Sequence, residues 1–168
     1  MSKLNGLIIN GWSIFAHPIF LGQLESLMNG VERLRKTNQL DYKKKNSTKQ
    51  LAAISKLIFE MIPNDPTLPE YRQGGTLGPN YKHWHRAKFF QQYRLFFRYH
   101  QESKVIIYAW VNDVETKRAY DSKSDAYLVF TKMLKKRAPP DNWAELLSES
   151  KKDEPIKRLH KASTNNLL

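Results

Sequence analysis

The stretch HWHRAKFFQQYRLFFRYHQESKVIIYAWVND, from His83 to Asp113, constrains this chain more than any other. Aromatic and β-branched residues dominate it, and polar interruptions divide it into residues 83–90, 93–99 and 104–112, each of strand length. His100-Gln101-Glu102-Ser103 reads as a tight turn between the last two segments. An antiparallel three-stranded run is the economical arrangement. Yet Arg86, Lys88, Arg94 and Arg98 stand inside it, in a sheet whose other residues call for burial.

Side chains alternate across a strand, so parity assigns them to faces. Tyr93, Leu95, Phe97 and Tyr99 share one face, suited to packing on helices, while Arg94, Phe96 and Arg98 share the other. Trp84, Arg86, Lys88 and Phe90 repeat that second pattern in the preceding segment. Side by side, the two segments put four permanent cations and three aromatic rings on one concave surface. The plain alternative is a solvated sheet face with arginine stems lying over rings. Against it stands the concentration of charge: residues 81–137 hold 13 Lys or Arg and 5 Asp or Glu, which is +8 of the chain's +12. Cations interleaved with aromatics suit a polyanion, with Trp84, Phe96 and Arg98 as candidate RNA contacts.

The flanks supply helices. LIINGWSIFAH alternates after Gly11 and reads as one short strand ended by Pro18. Phe20, Leu24, Leu27, Met28, Val31 and Leu34 then recur with helical spacing, and Leu51, Ile54, Ile58, Met61 and Ile62 mark a second helix capped near Asn46-Ser47-Thr48 and stopped by Pro63. Residues 63–80 hold four prolines and three glycines and read as a long loop. Asp125–Arg137 predicts a helix, and Asn142 with Glu145 predicts the capped start of another. Beyond Glu149 the chain is polar and charged, so residues 1–149 are expected to form one domain and residues 150–168 a flexible basic tail. The fold class is α+β.

A chain of 168 residues and pI near 9.8 points to a nucleic acid or an acidic protein as partner. No run approaches the length of a spanning helix and no secretory leader is evident, so the expected setting is the cytoplasm without membrane association. The absence of cysteine rules out disulfides and thiolate metal sites. His83 and His85 have no acidic cluster nearby to complete a metal shell, and neither a Gly-x-Ser-x-Gly elbow nor a Walker sequence is present, so neither metal nor cofactor is expected. RNA cleavage by the substrate's own 2′-hydroxyl fits what remains. It needs a proton acceptor, a proton donor and positive charge at phosphorus, which Arg, Lys, Tyr, His or Asp can supply. After the third strand, Asp113, Arg118, Tyr120 and Lys123 stand at the mouth of the expected cleft, Asp113 and Tyr120 as acid–base candidates and Arg118 and Lys123 as RNA contacts. Thr116 and Tyr127 read as a cap and a core residue.

Several strings resemble YhaV-type toxins of bacterial toxin–antitoxin pairs, in the RelE superfamily. They are NGWSIFAHPIF near the start, W-x-R-x-K-F at Trp84–Phe89, YRLFFRY at Tyr93–Tyr99, W-x-N-D at Trp110–Asp113, T-x-R-x-Y at Thr116–Tyr120, DAYLVFTKMLKK at Asp125–Lys136 and PPDNW at Pro139–Trp143. The resemblance spans roughly residues 10–147. It implies a small RelE-like fold, mRNA endonuclease activity at the ribosome and silencing by a PrlF-type antitoxin, in a complex that binds promoter DNA. It also implies metal-free catalysis in which Arg86, Lys88 and Arg94 take the places of the strand cations and Tyr120 that of the tyrosine. The alternative is a toxin of the same superfamily that acts by binding alone.

Overall fold

A computed structural model describes residues 5–118, 122 and 125–168, among which the expected α+β order is found. The chain opens with a hairpin, β1 (Leu7–Ile9) and β2 (Trp12–Ala16), where one strand was expected. The loop is the two residues Asn10 and Gly11, both at positive φ (51° and 82°), the backbone that matches the twist of a two-residue hairpin. The Asn-Gly pair was the legible signal. Helix α1 (Pro18–Thr37) follows, with the His17 imidazole accepting from the Ile19 N–H as its cap.

Helix α2 (Asn46–Lys56) runs into a π turn at Leu57–Met61 and a last helical turn, α3 (Ile62–Asn64), so the helix passes through Pro63 instead of stopping there. The Ile62 N–H bonds to the Leu57 carbonyl, five residues back. In that register the Ile58 carbonyl faces the missing N–H of Pro63. The buried Tyr108 hydroxyl donates to it instead, at 2.6 Å.

Strands β3 (His85–Phe89), β4 (Tyr93–His100) and β5 (Val105–Val111) complete a five-stranded sheet of order β1-β2-β5-β4-β3, parallel between β2 and β5 and antiparallel elsewhere. Strand β3 is therefore one edge. Phe96 pairs with Trp110 and Phe97 with Tyr108, which leaves Ala109 as an extra residue. That bulge shifts parity by one, so Trp110 joins Ile107 and Ala109 on one face while Val111 joins Ile106 and Tyr108 on the other.

Both faces are covered. Against α1 and α2 pack Trp12, Ile14, Leu95, Phe97, Ile106 and Tyr108. The opposite face, expected to be open, is covered by α4 (Ala126–Lys135) and α5 (Trp143–Ser150). Ala126, Tyr127, Phe130 and Leu134 form the buried stripe of α4. Phe130 stacks on Phe96 at 4.3 Å between centroids and meets Trp84 edge-on at 5.0 Å.

Residues 150–168 are not a flexible tail. Asp153–Ser163 form α6, whose Ile156, Leu159 and Ala162 are buried, and Leu167 beyond it is buried too. Arg158 grips Glu25 of α1 through Nε (3.1 and 3.0 Å) and a terminal nitrogen (2.6 Å), and the Tyr42 hydroxyl donates to the Leu167 carbonyl. Few apolar residues suffice because Ile156, Leu159 and Ala162 recur every third position and meet one surface. Among the described residues no helix is long and apolar enough to cross a membrane.

Candidate active site

The register of β3 on β4 sets Lys88 directly opposite Arg94 and Arg86 opposite Phe96, so the three cations share a face as parity required. Arg86 and Arg94 then do something parity could not show. Their Nε atoms converge on the Tyr127 hydroxyl, at 2.9 and 3.3 Å. The Tyr127 oxygen accepts from two guanidiniums, and each guanidinium is held from behind: Arg86 donates to the Glu70 carbonyl, Arg94 to the carbonyls of Gln91 and Tyr93. Both are nearly buried, at 9 % and 7 % exposure, and Lys88 beside them is exposed.

Arg118 joins from the loop after β5. Its guanidinium lies 4.6 Å from the Tyr127 ring centroid, pairs with the buried Asp125 carboxylate, and its backbone N–H donates to Gln92. Asp125 also caps α4 through the Tyr127 N–H. Asn112 ties this corner together: its oxygen accepts from the Arg94 N–H, and its amide donates to the carbonyls of Gln92 and Thr116. The result is a rigid cationic corner built from β3, β4, the β5 end and α4. A cavity of about 320 Å³ opens beside it, lined by Glu70, Arg72, Arg86 and Lys88 among others. A roomier hollow of about 630 Å³ lies between α1, α2 and the far side of the β3–β4 hairpin, with Asp113 as the only charged group among the described residues that line it. A mostly apolar lining with an acid does not suit an anion, so the cationic corner is the better candidate for phosphate.

The other residues singled out from the sequence fare differently. Trp84 and Phe96 are fully buried under α4, which corrects their reading as RNA contacts, since neither offers a ring to a base. Arg98 is sandwiched between Trp84 and Trp143, at 5.6 and 5.2 Å, and donates to the Asp141 carbonyl. Burial lowers its pKa, and it serves as a clamp on the segment before α5. Asp113 caps the short turn Val114–Thr116, accepting from the Glu115 and Thr116 N–H groups and the Thr116 hydroxyl. None of those bonds reaches the cationic corner. Tyr120 and Lys123 lie outside the described residues. His83 is exposed and meets Asp141 at 2.6 Å, sharing that carboxylate with the Trp84 indole. His85 is pushed down to about 4, by burial first and then by the charges of Arg72 and Arg98. Among the described residues no three His, Asp or Glu side chains gather as metal ligands would.

Tyr127 is the residue that sequence reasoning missed, because its place in the α4 stripe explains it as core. No signal in the strands pointed to it, because the burial that makes Arg86 and Arg94 demand acceptors is itself imposed by α4.

The geometry gathers three guanidiniums, one of them paired with Asp125, an ammonium and a phenol within one corner, an arrangement able to bind a phosphodiester and stabilise charge developing on it. Residues 14–151 match the sequence model of a family described as a toxin with endonuclease activity, of a toxin–antitoxin system. The chain is 44 % identical over 144 residues to Toxin YhaV of Escherichia coli O6:H1 (strain CFT073), and equally to Ribonuclease toxin YhaV of Escherichia coli (strain K12), alignments covering 84 % of this chain and 94 % of each relative. No solved structure matches it. Every element of the cationic corner lies inside the matched span, and the chain belongs to the YhaV toxin family, toxins with endonuclease activity that work within toxin–antitoxin systems.

Proposed function

We propose that the chain is a metal-independent endoribonuclease that cleaves messenger RNA at the ribosome and so arrests translation and growth in the cytoplasm. The observation that carries this reading is the convergence of Arg86 and Arg94 on Tyr127 with Lys88 exposed opposite Arg94. The reaction is an in-line transfer: the 2′-oxygen bonds to phosphorus, the bond from phosphorus to the 5′-oxygen breaks, and the products are a 2′,3′-cyclic phosphate and a 5′-hydroxyl. The 2′-hydroxyl proton passes to an acceptor and another proton reaches the departing 5′-oxygen.

Lys88 reaches the phosphate from solvent, and its ammonium can neutralise a non-bridging oxygen or protonate the leaving oxygen. Arg86 and Arg94 stabilise the extra charge on phosphorus from fixed positions, because the Nε of each is pinned on Tyr127 and one terminal nitrogen of each on carbonyls. Tyr127 is thus a positioning residue. Arg118 and Asp125 both sit on this corner. Tyr120 as a proton carrier and Lys123 as an RNA contact complete this reading, on the strength of the family resemblance and their place in the sequence between Arg118 and Asp125. The partner expected in the same system is a PrlF-type antitoxin, and the joint complex is proposed to bind promoter DNA.

The test is cleavage of a defined mRNA by purified chain, with and without ribosomes and with EDTA, mapping 5′ ends. Cleavage that persists in EDTA and vanishes in Lys88→Ala and Arg94→Ala supports the reading. Growth arrest with intact RNA would favour action by binding alone.

A further inference from the structure

The geometry points to the open edge of β3 as the docking site of the antitoxin's inhibitory segment, added as a sixth strand that alternates acidic and apolar side chains. The reading of the cationic corner as the ribonuclease site enters only in explaining why docking there silences the chain.

The edge is defined by hydrogen bonds elsewhere in the sheet. The Arg94 N–H donates to the Asn112 side chain and the Arg94 carbonyl accepts from the Asn112 N–H, so both groups point toward β5. Lys88 is directly opposite Arg94. In an antiparallel pair, opposed residues either exchange both bonds or turn both groups away from each other. The N–H and carbonyl of Lys88 therefore point out of the sheet, and those of Arg86, two residues earlier, do the same. The bridge between Arg72 and His85 closes the start of this edge as far as the Arg86 N–H, which leaves the Arg86 carbonyl and both groups of Lys88 open.

The chemistry beside the edge selects the occupant. The cavity of about 320 Å³ that flanks it is lined by Arg86 and Lys88 on one face of the strand, by Ala87 and Leu57 on the other, and by Arg72, Glu70 and the exposed Met61. Side chains of an added strand would alternate between these two sides, acids toward the cations and apolar groups toward the α2 end. A second copy is a poor occupant: antiparallel pairing of two β3 edges would set Arg86 and Lys88 against their own like charges. An acidic segment has the opposite sign, and it would cover Lys88 and close the approach to Arg86.

The experiment uses the full chain and its purified complex with the antitoxin of its own pair. Amide hydrogen exchange at Lys88 should slow about hundredfold in the complex relative to the free chain. Met61→Glu and Met61→Lys, at a residue that makes no contact in the cationic corner, should cleave RNA as wild type yet bind antitoxin about tenfold or more weakly. Equal exchange at Lys88 in free and bound chain would overturn the proposal, as would wild-type affinity in both variants. A free chain already dimeric with a protected Lys88 amide would assign the edge to self-pairing and overturn it too. If protection and weakened binding appear but wild-type chain leaves RNA intact, the docking site stands and the ribonuclease reading falls.

Discussion

Tyr127→Phe deletes one oxygen from the centre of the cationic corner and leaves the ring in place, edge-on to Phe96 at 5.5 Å and beneath Arg118. Two near-buried guanidinium Nε donors lose their acceptor at once. An unsatisfied buried donor costs about 1–3 kcal/mol, more when charged. The 2.9 Å bond from Arg86 belongs near the top of that range and the 3.3 Å bond from Arg94 near the bottom, so the variant should lose about 3 kcal/mol of stability. At about 2–4 °C per kcal/mol for a domain of this size, that lowers the melting temperature by about 6–12 °C. Both arginines keep their carbonyl partners, so they stay in place but gain freedom at the tip, and cleavage should fall by about 10² through kcat more than KM. Single-turnover cleavage of a defined RNA well below the melting transition separates the two effects, because a role confined to stability leaves the rate intact there. A folded Tyr127→Phe chain with an unchanged melting temperature and wild-type kcat would refute the claim that the phenol organises the arginines.

Lys88→Ala and Arg94→Ala should each reduce cleavage by about 10²–10³ and abolish growth arrest, whereas His83→Ala should act much less because Asp141 keeps its bond to the Trp84 indole; end-mapped cleavage beside melting curves checks all three. Arg98→Ala should destabilise the chain through lost stacking between Trp84 and Trp143 without changing how cleavage depends on RNA concentration, and a parallel change in KM would return Arg98 to the RNA surface. His85 stays neutral in the folded chain down to about pH 4 while the unfolded chain takes up a proton near 6.5, so stability should fall as pH drops from about 6.5 to 4. His17, lowered first by burial, adds to the upper part of that slope, and denaturant titrations should show it flattened in His85→Gln.

The order of elements was legible because it is written in local chemistry: helical spacing in α1, α2 and α4, prolines and glycines at the loop, and alternation in β3 to β5. The shared face of Arg86, Lys88 and Arg94 was legible for the same reason, since strand parity needs no knowledge of the rest of the chain. The β1 hairpin could have been read from Asn10-Gly11. Residues 150–168 could not be read so easily, because their polar composition outweighs three apolar residues whose value depends on the surface of α1 and β2 they meet.

What sequence alone determined is therefore which side chains lie together along and across neighbouring strands. Whether a face is open was decided only when α4, nearly thirty residues further on, packed Phe130 against Phe96 and Trp84, which turned two expected base-stacking rings into core. The same packing carried Tyr127 to the arginines. A face's exposure is a property of what covers it, and a buried charge's partner is whatever long-range packing brings within hydrogen-bond reach; neither is encoded in the strand that carries the charge.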